Sequence, residues 1–117
     1  MIGGYRNKFR LVLPSELMAK AIPLTSVGVN EFAWKWRDAI AVVKILVANR
    51  LLVLGGDVYS YVTEVVKPTY DNWYFQPTES KSLDDALEES QNKSIEYIKA
   101  YAQKNGESFC YSIVIKG

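Results

Sequence analysis

The spacing of apolar positions changes period several times along this chain, and each change marks an element. KFRLVL, residues 8–13, alternates well enough for a short strand. LPSELMAKAIP then predicts a short helix with Ser15 as its N-cap and Pro23 as its stop. LTSVGVN reads as a loop, and Asn30 caps a longer helix in which Trp36, Ala39, Ile40, Val43, Leu46 and Val47 share one face. Asn49 suits a left-handed residue closing that helix. The continuous apolar run Leu51–Leu54 follows, as expected of an interior strand.

From Asp57 to Phe75 β-branched and aromatic residues dominate, which predicts hairpin strands leaving and rejoining one sheet. Pro68 has no N–H to give to a ladder, so it marks an edge or a bulge. Gly55 and Gly56 predict a bulge or sharp bend that re-aims Asp57. The second long helix is the clearest element. Ser82 and Asp85 have capping-box spacing, Asp84 and Asp85 oppose the positive end of the dipole, and Gly106 terminates it. Its apolar stripe is Leu83, Ala86, Leu87, Ser90, Ser94, Tyr97, Ile98 and Tyr101, with serines where a close neighbour fits. SFCYSIVI closes the chain as a strand. The order predicts a two-layer α+β domain, a small, mostly antiparallel sheet packed by two long helices.

A length of 117 residues, 49% apolar and 23% charged, fits a single globular domain spanning residues 1–117. The apolar segments near residues 39–54 are interrupted by Lys44, Asn49 and Arg50, and MIGGYRNKFR lacks an apolar export segment. With one cysteine and no internal disulfide possible, the expectation is a cytoplasmic protein with no membrane association. The net charge of +1 conceals eight Lys/Arg against three Asp/Glu in residues 1–50, and six against ten afterwards. A nucleic-acid binder would be more basic.

The chain contains no histidine, which removes His-dependent triads, His-ligated metal sites and His proton shuttles. Cys110, in an apolar strand with no histidine partner, reads as a buried, inert thiol. GGD lacks the spacing of a phosphate-binding loop and is not followed by a helix. Asp57 and Asp71 are the minimum pair for glycoside hydrolysis, although Asp71 in YDNW is better read as an Asx-turn residue. The rings of Tyr59, Tyr61, Tyr70, Trp73, Tyr74 and Phe75 suit a protein-binding surface, a platform for nucleobases, or the core of a small sheet. No Lys or Arg falls between residues 51 and 66 to hold phosphates. The acids of SLDDALEES read as a solvated helix face.

LLVLGGDVY after a helix containing RDAIAVVKIL, then PTYDNWYF, then a serine-rich acidic helix ending SIEYIKAY and a closing strand, resembles the immunity protein 40 family of bacterial polymorphic toxin systems, of the contact-dependent inhibition type. The resemblance covers roughly residues 30–115 and rests on the pairing of GGDVY with YDNWY. It implies a cytosolic protein that binds the C-terminal domain of a cognate toxin in a tight stoichiometric complex, with no catalysis, cofactor, metal or small-molecule substrate. Carried over by position, the motif residues are Gly55, Gly56, Asp57 and Tyr59, then Tyr70, Asp71, Asn72, Trp73 and Tyr74. With Tyr61 added from the aromatic set, these are the candidate partner-binding residues, Gly55 and Gly56 serving as structural ones. The chain departs from the family in a segment of roughly residues 1–29, read as an N-terminal extension, and in lacking the strong acidity of many nuclease inhibitors. A single-stranded nucleic-acid-binding module remains the alternative reading.

Overall fold

The computed structural model describes Phe9 and residues 11–116. A short helix α1 (Ser15–Ala19) leads to β1 (Ile22–Pro23), a 3₁₀ turn (Thr25–Val27), β2 (Phe32–Lys35) and helix α2 (Trp36–Ala48). The hairpin β3 (Val53–Val62) and β4 (Val65–Tyr74) follows, then helix α3 (Leu83–Asn105), β5 (Phe109–Ser112) and β6 (Val114–Ile115). The six-stranded sheet has the order β1-β2-β5-β3-β4, with β6 continuing the line of β5 along β3, and every pairing is antiparallel. This is the α+β architecture that the sequence predicts, with β3 interior and β4 at one edge.

The two faces of the sheet differ. Helices α2 and α3 cover one, where Ala39, Val43, Leu46 and Ile98 meet Trp34, Val53, Val58, Trp73 and Tyr111. Ser90 and Ser94 of α3 are fully buried, as the serine stripe predicts. Leu83, placed on that stripe from its spacing, is instead 48% exposed, and the buried positions of the helix begin at Ala86. The opposite face carries a thinner cover, in which Ile22, Leu24, Val27 and Val29 fold over Ala33, Tyr59, Tyr61, Val66 and Cys110. Burial pushes the Cys110 thiol up to about 12, so it stays protonated and unreactive at neutral pH.

Several boundaries differ from the sequence reading. Phe9, Leu11 and Val12 are helical rather than extended, while Lys8 and Arg10 of the same segment lie outside the described residues. The residue at the N-cap of α1 is Pro14, not Ser15, whose side chain makes no capping bond. The helix expected from Asn30 starts only at Trp36, since Phe32–Lys35 pairs with β1 and β5. Phe32 and Trp34 face the helices and Ala33 the other layer, so a strand buried on both sides mimics an apolar helix start. The left-handed residue after α2 is Arg50 (φ 61°), which leaves Asn49 at φ −95°. Arg50 then pairs with Asp84 at 2.9 Å, tying the exit of α2 to the start of α3.

At the other terminus of α3, Gly106 closes the helix, and at its start Ser82 accepts a bond from the Asp85 N–H at 3.1 Å, both as expected. Thr63 and Glu64 form the hairpin turn with φ of 49° and 62°, the positive pair that a two-residue type I′ turn requires. Neither is a residue that favours it, and a left-handed L-residue costs about 1–2 kcal/mol. Glu64→Gly is expected to raise stability by about 1 kcal/mol. Urea titration checks this: the midpoint should rise at an unchanged slope.

Candidate functional site

The strand β3 passes through Gly55 and Gly56 without breaking, and what lies over them explains why side chains are missing there. Gly55 has φ 143°, and a Cβ on it would overlap the carbonyl oxygen of Trp73. Gly56 pairs directly with Trp73, whose indole lies across it. That indole is 5% exposed, donates its Nε1–H to Ser94 Oγ at 3.0 Å and stacks on Tyr97 with centroids 5.0 Å apart. The glycines and the tryptophan of the two motif halves thus form one joint between the hairpin and α3. The strand irregularity expected at the glycines lies between Val53 and Gly55, where β3 shifts register against β6.

A larger irregularity lies across from Asp57. Asp57 pairs with Asn72 and Tyr59 with Pro68, so Thr69, Tyr70 and Asp71 of β4 all oppose Val58 alone. Pro68 borders this bulge on the edge strand, in keeping with its missing N–H. Thr69, rather than Asp71, shapes the turn: its Oγ1 donates to the Val58 carbonyl at 2.7 Å and accepts the Asp71 N–H at 3.1 Å. The Asp71 carboxylate accepts a hydrogen bond from the Tyr101 hydroxyl of α3 at 2.7 Å. Burial, then this bond, raises the Tyr101 pKa, so the phenol remains a donor at physiological pH.

Between those two anchors Tyr70 stands at φ 68° with 85% of its surface exposed. A large aromatic in left-handed backbone is rare outside tight turns, and such strain concentrates at functional positions. Arg50, Thr63 and Glu64 have positive φ too, but at a helix exit and a hairpin turn.

The sheet face away from the helices has two adjacent hollows here, each of about 210 Å³, sharing Asp57. One lies over Gly55 and Gly56, flanked by Asn72, Trp73 and Tyr74. The other lies between the 3₁₀ turn and the bulge, lined by Tyr59, Pro68, Tyr70 and Asp71. All the candidate residues except Tyr61 therefore meet at one surface. Tyr61, half-buried further along β3, lines neither hollow and has the Lys35 ammonium 5.8 Å from its ring centre. Asp57, Tyr70, Asp71, Asn72 and Tyr74 are exposed, whereas Tyr59 and Trp73 are buried and support the surface from beneath. Tyr74 is 69% exposed, with the Lys93 ammonium 5.6 Å from its ring centre.

Sequence reasoning missed Glu31, Thr69, Ser94, Tyr97 and Tyr101 as parts of this assembly. The helical spacing of Ser94, Tyr97 and Tyr101 was visible, but it said only that they face the sheet. Glu31, before β2, has no local motif at all. Burial first, and then the negative charge of Asp57, raises its pKa above the ordinary 4.5. The folded state therefore carries a cost when Glu31 is ionised, absent below pH 4.5 and growing as pH rises through the folded pKa. Glu31→Gln should raise the melting temperature at pH 7 by about 1–4 °C, a small effect because solvent screens a half-exposed group. The difference from wild type should vanish in melts below about pH 4.5.

A family model described as Immunity protein 40 matches residues 23–115. The chain belongs to the immunity protein 40 family. The match takes in both strands of the hairpin, all the residues of the two hollows, and the segment 23–29 that covers the second sheet face. Neither a curated protein nor a solved structure matches the chain. No helix among the described residues of this immunity protein 40 member is long and apolar enough to cross a membrane.

Proposed function

We propose that this member of the immunity protein 40 family binds the C-terminal domain of a cognate toxin in the cytoplasm and neutralises it as a stoichiometric complex, without catalysis of its own. The observation that carries the reading is Tyr70, an exposed aromatic in strained backbone, fixed from both sides by Thr69 and by the Asp71–Tyr101 bond. A backbone fixed before contact has less entropy to lose on binding, and tyrosine is among the residues that dominate interface energetics. Tyr74, Asn72 and Asp57 extend the contact across the two hollows, while Tyr59 and Trp73 hold them in shape. Nothing favours the nucleic-acid alternative: the acids at this surface, Asp57 and Asp71, would repel phosphate.

The test is a rescue assay. The C-terminal domain of the large protein encoded beside this gene is expressed under tight control, with and without this chain. Growth arrest reversed by this chain supports the reading, and arrest without rescue by a demonstrably folded chain removes it.

A further inference from the structure

The hollow between the 3₁₀ turn and the bulge carries unbalanced negative charge. Asp57 lines it, and Glu31 is close enough for the Asp57 charge to act on it. Neither carboxylate takes part in an ion pair among the described residues, where the pairs are Lys20–Asp38, Arg50–Asp84 and Lys81–Glu89. Tyr59 is an independent observation. It is only 7% exposed and lines the same hollow, yet its hydroxyl makes no hydrogen bond among the described residues. Burial first, and then the charges of Asp57 and Glu31, raise the pKa of that phenol, so it stays protonated at neutral pH. The remaining lining residues are Val27, Val29, Val58, Pro68 and Tyr70, together with Asp71, whose carboxylate already accepts the Tyr101 hydroxyl.

Two unpaired carboxylates and an unpaired phenol, set among aliphatic and aromatic walls, are what an organic cation satisfies. We propose that this pocket receives a basic side chain of the protein partner, arginine in preference to lysine. Asp57 and Glu31 take its charge, the Tyr59 oxygen accepts one of its N–H groups, and Tyr70 stands at the rim. Arginine fits better because its fork reaches carboxylates on two different elements and its plane packs on aromatic rings. The volume of about 210 Å³ admits a guanidinium and its last methylenes, being roughly seven times a water's share of the liquid. The inference rests on this face being a protein-binding surface, and it adds Glu31, outside the sequence motif, to the contact.

The pocket is tested first without any toxin. Isotope-labelled full chain is titrated with N-acetyl-arginine amide and, separately, with the uncharged N-acetyl-citrulline amide, following amide resonances. Glu31, Asp57 and Tyr59 should shift saturably with the arginine compound at about millimolar concentration and about tenfold more weakly with citrulline. Glu31→Gln and Asp57→Asn should each reduce that preference. Equal response to both compounds, no response, or a preference that survives both substitutions overturns the proposal. In the second arm the same variants are mixed with the neighbouring toxin domain, and dissociation should quicken by about ten- to a hundredfold. Unchanged dissociation from a toxin that wild type neutralises also overturns it. A pocket selective for the arginine compound in a chain that fails the rescue assay sinks the toxin reading and leaves the cation site standing.

Discussion

Alanine in place of Gly56 is expected to lower the melting temperature by at least about 12 °C, corresponding to about 3 kcal/mol for a domain of this size. A Cβ at this position would overlap the carbonyl oxygen of Ser112 and stand 2.5 Å from the Trp73 ring. Neither neighbour can give way cheaply. Ser112 lies at the junction of β5 and β6, where its Oγ accepts the Asp57 N–H at 3.1 Å. The indole is fixed by Ser94 and Tyr97, and displacing it exposes a buried tryptophan, a loss of about 3–5 kcal/mol when complete. Against a total stability of about 5–15 kcal/mol, either route removes a large share. Thermal unfolding followed by near-ultraviolet circular dichroism reads both the loss of stability and the loss of the fixed tryptophan. A cooperative melt within about 5 °C of wild type would show that the joint is looser than its geometry.

That joint accounts for the mixture of residues in LLVLGGDVYSYVTEVVKPTYDNWYF. The paired glycines remove side chains from one strand so that the tryptophan of the next can cross it, and their absence leaves a hollow on the opposite face. Alternation along β4 then sends Trp73 inward and its neighbours Asn72 and Tyr74 outward, so one segment both anchors the hairpin and forms its surface.

Local patterns made much of this legible. The capping pair Ser82 and Asp85, the glycine after α3 and the serines facing the sheet are short-range signals, and all of them hold. Strand β2 was hidden because Phe32, Ala33 and Trp34 are buried on both sides, leaving no alternation to distinguish them from the helix that follows. The site was legible as composition and illegible as geometry. Which rings are exposed depends on a bulge in which three residues of β4 oppose one of β3, and no residue in PTYDNW is an obligatory signature of it. Contacts such as Asp71 with Tyr101 and Trp73 with Ser94 join positions 30 and 21 residues apart, and sequence spacing carries no information about them.

The same bulge yields the most discriminating expectation for function, because stability and binding should move in opposite directions. Replacing Tyr70 with glycine relieves a left-handed L-residue, about 1–2 kcal/mol, against about 0.5–1 kcal/mol for the added freedom of the unfolded chain. Since the ring is 85% exposed, little burial is lost, and net stability should rise by about 0.5–1 kcal/mol. If Tyr70 anchors the proposed toxin complex, its loss should weaken that complex by at least about thirtyfold, corresponding to about 2 kcal/mol. Denaturation of the free variant and titration of the toxin domain measure the two effects separately. A tyrosine that merely fills the fold would lose stability and leave binding intact. The proposed interface depends on this ring, so a Tyr70→Gly variant with full affinity would remove the residue from it.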